Sequence, residues 1–176
     1  QSVFMLIDWY DTVHFEVRSD GQISREDLNF PLPKDDLITR AARLLKETSG
    51  TAQGAHIAIE KSIPAQAGMG GGSSDAATCL LALNKLWGLG LSVKQLTEMG
   101  LKLGADVPFF LHGHNAWVEG VGELMQPISL PPAQFVVVKP LEGLETAHIF
   151  GSESLKRDTK PATISVFATN PFGFGH

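Results

Sequence analysis

The chain has 176 residues, 43% of them hydrophobic, enough to bury one sizeable core or one domain with the beginning of another. Its 14 basic and 19 acidic residues include no basic cluster, which argues against nucleic acid or an anionic membrane surface as partner and favours a small polar ligand. A single cysteine, Cys79, excludes an internal disulfide and a cysteine-rich zinc framework, and points to a reducing, cytoplasmic setting.

In chain order, the opening QSVFMLIDWYDTVHF has no basic leader, and Asp8 and Asp11 break its apolar run, so it reads as neither signal peptide nor membrane span. Residues 3–18 alternate well enough (Val13, Phe15, Val17 against His14, Glu16, Arg18) to predict strand, with a turn at Ser19-Asp20-Gly21. LPKDDLITRAARLLKETSG predicts a helix capped near Asp35 or Asp36, with Leu37, Ala41, Leu44 and Leu45 on one face and Gly50 beyond its end. HIAIE predicts a strand leading to a loop at Pro64. DAATCLLALNKLWGLG predicts a well-buried helix beginning at Asp75, with Ala77, Leu80, Leu81, Asn84 and Leu86 inward. A short helix capped by Ser92 follows and breaks at Gly104, and residues 116–121 and 135–138 are strand candidates, the VVVKP run as a buried one. The order indicates a mixed α+β fold rather than a regular βαβ array. The chain starts on Gln inside a strand and ends on FGFGH without a closing element, so a piece of a longer protein is expected, with residues 1–150 as one domain and 151–176 as a junction to another.

The strongest chemical signal is Gly68-Met69-Gly70-Gly71-Gly72-Ser73-Ser74. Its glycines permit positive φ and close backbone approach, and the helix behind it directs unpaired N–H groups and a positive dipole end into the same space, which suits a polyphosphate. Ser73 and Ser74 add hydroxyls able to bond phosphate or a metal ion. No Gly-Lys-Ser/Thr follows, so this is not a Walker loop, and the preceding SIPAQA is too poor a strand for a dinucleotide fingerprint. A glycine linker or plain tight turn is the bland alternative.

The run IPAQAGMGGGSSDAA resembles the Pro-x-x-x-Gly-Leu-Gly-Ser-Ser-Ala loop of the galactokinase, homoserine kinase, mevalonate kinase and phosphomevalonate kinase superfamily. The triple glycine, followed in order by LGADVPFFLHG and AWVEGVGE, narrows the resemblance to the 4-diphosphocytidyl-2-C-methyl-D-erythritol kinases, over about residues 8–150. The resemblance implies a fold like the second domain of ribosomal protein S5, with ATP and Mg²⁺ as cofactors. It implies a cytidine-diphosphate-linked methylerythritol as small-molecule substrate, phosphorylated on its 2-hydroxyl in non-mevalonate isoprenoid biosynthesis. Sister kinases of homoserine or mevalonate, or a non-catalytic nucleotide-binding fragment, are the alternatives.

Carried over residue by residue, the resemblance implies that Pro64, Ala65, Gln66, Ala67, Gly68, Met69, Gly70, Gly71, Gly72, Ser73 and Ser74 hold the ATP phosphates. It makes Lys61 and Asp36, with Leu37, candidates for the adenosine pocket, and Phe150 with Thr146 candidates for the cytosine. Read alone, Lys61 is a surface lysine and Asp36 a helix cap, and the family commonly has Asn at that second position. Asp106, in GADVPFF, is implied as catalytic base, the bland reading being a loop or N-cap aspartate. Metal ligands stay unassigned: Glu119 and Glu123 are both candidates for Mg²⁺, and His112 and His114 lack a third ligand. The family's N-terminal Pro-Ala-Lys-Leu-Asn strand, Tyr-His pair and second glycine-rich element have no counterpart in these residues, so poor turnover is expected, with weak nucleotide binding as what could remain.

Overall fold

A computed structural model describes residues 1–139, other than Gln66, Val121 and Glu123, together with Gly151, Ser152, Lys156, Thr163, Ile164 and Phe167. Ten elements follow in order: β1 (Ser2–Phe4), β2 (Thr12–Arg18), β3 (Ile23–Asp27), α1 (Leu37–Ser49), β4 (Gly54–Glu60), α2 (Gly71–Leu86), α3 (Val93–Leu103), α4 (Val107–His112), β5 (Ala116–Glu119) and β6 (Leu124–Pro127).

The main sheet has the order β2-β4-β3. In β4 the alternation of GAHIAIE turns Ala55, Ile57 and Ile59 to the core, all fully buried, and this strand takes the middle place. It pairs antiparallel with β2 (Thr12↔Glu60 to Arg18↔Gly54) and parallel with β3 (Ile23↔Ala55 to Asp27↔Ile59), α1 being the crossover that a parallel pair requires. The strand β3 was not foreseen, because ISRED carries one apolar residue and its Arg25 spends its length on local ion pairs. A second sheet, β1-β5-β6, is antiparallel throughout.

Helix α1 starts and stops where its caps dictate. The Asp36 carboxylate accepts the Thr39 N–H at 3.1 Å, and Gly50, at φ 68°, closes the end with its N–H on the Lys46 carbonyl. Ile38, Ala41, Ala42 and Leu45 form its buried stripe, while Leu37 and Leu44 are only partly buried. In α2 the buried apolar residues are Ala76, Ala77, Cys79, Leu80 and Leu83; Leu81 and Leu86 face out, against the expectation. Ser92 and Gln95 form a capping box at α3.

The expected buried strand at 135–138 is absent. These residues carry no regular structure and stand between 45% and 93% exposed. An apolar run signals the need for a partner without supplying one, and no described strand lies beside it.

Helices α3 and α4 meet at Gly100, where an added Cβ would lie 2.9 Å from Leu111 Cδ1 and 3.0 Å from Val107 Cγ1. Gly100→Ala is expected to lose about 1–2 kcal/mol in denaturant unfolding, because overpacking outweighs the roughly 1 kcal/mol that Ala gains as a helix former.

Candidate functional site

The glycine run does not end where the helix begins. Helix α2 starts at Gly71, so Gly71, Gly72, Ser73 and Ser74 are its first turn, four residues earlier than the Asp75 start expected from helix propensity. Packing overrides propensity here: a Cβ on Gly71 would lie 3.0 Å from Ile63 Cγ2 and 3.5 Å from an Asp11 carboxylate oxygen, so only glycine lets the chain turn into helix at this depth. Gly70 is the N-cap at φ 71° with no side-chain cap bond, and a Cβ there would meet the Phe110 ring at 2.9 Å. The first intrahelical bond runs from Ser74 N–H to the Gly70 carbonyl at 2.9 Å, which leaves the N–H groups of Gly71, Gly72 and Ser73 outside the helix ladder.

This turn floors a cleft of about 520 Å³. The loop residues Pro64, Ala65, Ala67, Gly68, Met69, Gly70, Gly71, Gly72 and Ser73 line it together with Asp36, Leu37 and Lys61; Ser74 is not in the lining, and Gln66 lies outside the described residues. The opposite wall, Leu32, Pro33 and Asp36, belongs to the β3–α1 connection. Arg25 shapes it from behind. Its side chain is 10% exposed, and its guanidinium pairs with Asp27 at 2.7 Å and Asp36 at 2.6 Å and donates to the carbonyls of Pro33 (3.0 Å) and Leu32 (3.2 Å). Asn29 ties the same connection to the end of β4, donating to the Lys61 carbonyl at 2.8 Å and accepting its N–H at 2.9 Å. Asp36 is thus both helix cap and cleft wall.

Lys61 is no surface lysine. Its side chain is 7% exposed, and its ammonium bonds the carboxylates of Asp11 and Asp75, the latter at 2.7 Å. Asp11 also accepts the N–H groups of Ser62 (2.6 Å) and Ile63 (2.8 Å). The two carboxylates respond in opposite directions. Burial pushes Asp11 up, but the Lys61 bond and the two N–H groups outweigh it and hold it below the ordinary carboxylate range. Burial pushes Asp75 up to about 6, against the Lys61 bond and with the help of the like charge on Asp11. Burial opposes the Lys61 charge too, yet its two partners keep the ammonium above the ordinary lysine range.

The sign for stability follows from Asp75. Its folded value lies above the unfolded one, so the folded state retains a proton that the unfolded state has released, and stability falls as pH rises from about 4 through 6. Comparing urea unfolding at pH 4.5 and 7.5 in native protein and in Asp75→Asn, we expect the native fall to exceed the variant's by on the order of 2 kcal/mol.

Asp106 occupies the N-cap position of α4, exposed and without a side-chain cap bond, so the bland reading of a capping aspartate loses its hydrogen bond. It does not line the cleft. Its turn nevertheless abuts the glycine helix: a Cβ on Gly104 would lie 3.9 Å from Ser73 Oγ, and a Cβ on Gly122 would lie 3.0 Å from the Ala105 carbonyl oxygen. The turn is therefore held between the first turn of α2 and the β5–β6 connection. Helix α4 itself, six residues around Pro108, was not among the predicted elements.

Of the other candidates, Phe150, Thr146 and Glu123 lie outside the described residues. Glu119 accepts from Gln1 and from the Trp117 indole, and the rings of His112 and His114 stand edge to face at 5.9 Å. Among the described residues no three His, Cys, Asp or Glu side chains gather as a metal cluster. Sequence reasoning missed Asp11, Asp75 and Arg25 as site residues. Asp75 followed the motif directly, but nothing local marked Asp11, 50 residues from its lysine.

Residues 36–114 match the family described as GHMP kinases N terminal domain. Across 99% of its length the chain is 67% identical to the 4-diphosphocytidyl-2-C-methyl-D-erythritol kinase of Albidiferax ferrireducens, of which it spans 61%. It is 64% identical, again across 99% of its length, to the enzyme of that name from Paracidovorax citrulli, of which it spans 63%. A crystal structure of 4-(cytidine 5'-diphospho)-2C-methyl-D-erythritol kinase superimposes with a TM-score of 0.60 at 43% identity, covering 69% of this chain and 42% of that one. Homoserine kinase from Cytophaga hutchinsonii shares the fold, with a TM-score of 0.58 at 23% identity over 69% of this chain and 43% of that one. With its α+β architecture and the glycine turn in place, the chain carries over residues 36–114 the N-terminal domain of the GHMP kinases.

Proposed function

We propose that the protein is the nucleotide-binding part of an ATP-dependent kinase that phosphorylates the 2-hydroxyl of 4-diphosphocytidyl-2-C-methyl-D-erythritol. The observation that carries this reading is the glycine turn: three backbone N–H groups outside the helix ladder, at the positive end of α2, facing a cleft large enough for a nucleotide. The names of the relatives support the choice of acceptor.

In this reading residues 68–74 cradle the phosphates, and Asp36, Leu37 and Lys61 border the adenosine. Ser73, in the cleft lining, would offer its hydroxyl to a Mg²⁺ ion bound with the nucleotide, and that ion would neutralise phosphate charge. Asp106 accepts the proton of the acceptor hydroxyl as the γ-phosphoryl group moves in line to that oxygen, releasing ADP and the 2-phosphate with no covalent enzyme intermediate. Phe150 and Thr146 take the cytosine side by resemblance alone. No helix among the described residues is long and apolar enough to cross a membrane, and a cytoplasmic setting is part of the proposal.

ADP release, measured on a chain spanning the full length of the relatives, tests the acceptor. Turnover is expected with the cytidylated substrate and not with homoserine or mevalonate; a preference for either of the latter overturns the assignment.

A further inference from the structure

The cluster of Asp11, Lys61 and Asp75 is placed in a way that phosphate binding does not by itself require. Asp11 directly precedes β2, Lys61 directly follows β4 and opens the glycine-rich loop, and Asp75 lies in the second turn of α2, just past the loop. The side chains of Asp11, Lys61 and Asp75 are 2%, 7% and 7% exposed. One ammonium therefore joins the entry and the exit of the loop.

Asp11 touches both ends as well. It holds the entry through the N–H groups of Ser62 and Ile63, and it stands 3.5 Å from the position a Cβ would take on Gly71, at the exit. Between these ends the chain contains Gly68 at φ 69° and Gly70 at φ 71°, positions with little stiffness of their own. A free glycine run would have to be ordered each time it bound an anion, and that ordering weakens binding.

We propose that Asp11 and Asp75, acting through Lys61, are positioning residues that clamp the two ends of the glycine-rich loop together and so preorganise the phosphate cradle. The functional half of this inference rests on the nucleotide reading of the cleft, whereas the clamp rests on the contacts alone. A cluster serving only general stability would lower the unfolding midpoint without acting selectively on the loop.

Two measurements on the same variants separate these. Amide exchange of residues 67–74 reports the clamp, and calorimetric titration with MgADP reports the cradle. In Asp75→Ala, loop amides are expected to exchange about tenfold faster than in native protein, with amides of α1 and β4 unchanged, and MgADP to bind about tenfold more weakly, the size of one charge-assisted hydrogen bond. Asp75→Asn keeps an acceptor for Lys61 and is expected to restore both to within about threefold of native. Should Asp75→Ala not fold, Asp75→Leu, which offers Lys61 no acceptor yet fills the space and leaves the Lys61–Asp11 pair intact, carries both measurements with the same expectation. Unchanged loop exchange, or an Asn variant no better than Ala, overturns the clamp. If native protein binds no MgADP, the nucleotide reading is overturned, and the exchange data still decide the clamp.

Discussion

Asp106→Asn is expected to lower kcat by about 10²- to 10⁴-fold, with little change in the nucleotide KM, in protein spanning the full length of its relatives. The reasoning starts from what the side chain does not do. Asp106 sits at an N-cap position yet makes no cap bond, is exposed, and lies outside the lining of the cleft. An isosteric amide therefore leaves α4 and its packing intact, so that any loss of rate reads out a lost proton acceptor. Steady-state ADP release with a matched unfolding curve checks this. Near-normal turnover would remove Asp106 from the chemistry and return it to the role of a turn residue.

The second large effect concerns Arg25. Arg25→Met is expected to destabilise the protein by about 3 kcal/mol, because it strands two partly buried carboxylates, Asp27 and Asp36, that share its guanidinium. The consequence reaches the cleft. The Leu32 and Pro33 carbonyls lose their donor and the Asp36 cap loses its counter-charge, so the wall they form loosens, and nucleotide binding is expected to weaken along with the unfolding midpoint. Urea unfolding and MgADP titration on the same sample measure both. A variant within about 0.5 kcal/mol of native, the range of an ordinary surface change, would show the pairs to be unimportant.

What could be read from the residues follows a physical divide. Helix α1 was legible because its signals are local: a carboxylate three residues before the N–H it caps, a glycine at the end, and apolar residues at helical spacing. The glycine-rich loop was legible for the same reason, although its boundary was not, since Gly71 packs beside Asp11 from a distant segment of the chain. The burial of Lys61 was not legible, because it depends on Asp11 and Asp75, and spacings of 50 and 14 residues leave no pattern. Arg25 hid within a strand too polar to announce itself, and the valines at 136–138 announced a strand that has no neighbour among the described residues.

The pairing of β1 with β5 has a consequence for the order in which the molecule assembles. Val3 lies opposite Trp117 and Phe4 opposite Ala116, whereas β2 and β4 close a far shorter loop, Arg18 lying opposite Gly54. Closing the longer loop costs more chain entropy, and its small apolar cluster of Phe4, Phe109, Ala116 and Val118 offers less burial in return. The sheet β2-β4-β3, beside the cleft, is then expected to form first, and the sheet β1-β5-β6 to dock onto it later. Phe110, which packs against both clusters, is the hinge between the two stages. The amides of β1 and β5 should accordingly be the last to gain protection in pulse-labelled refolding, after the cleft is formed.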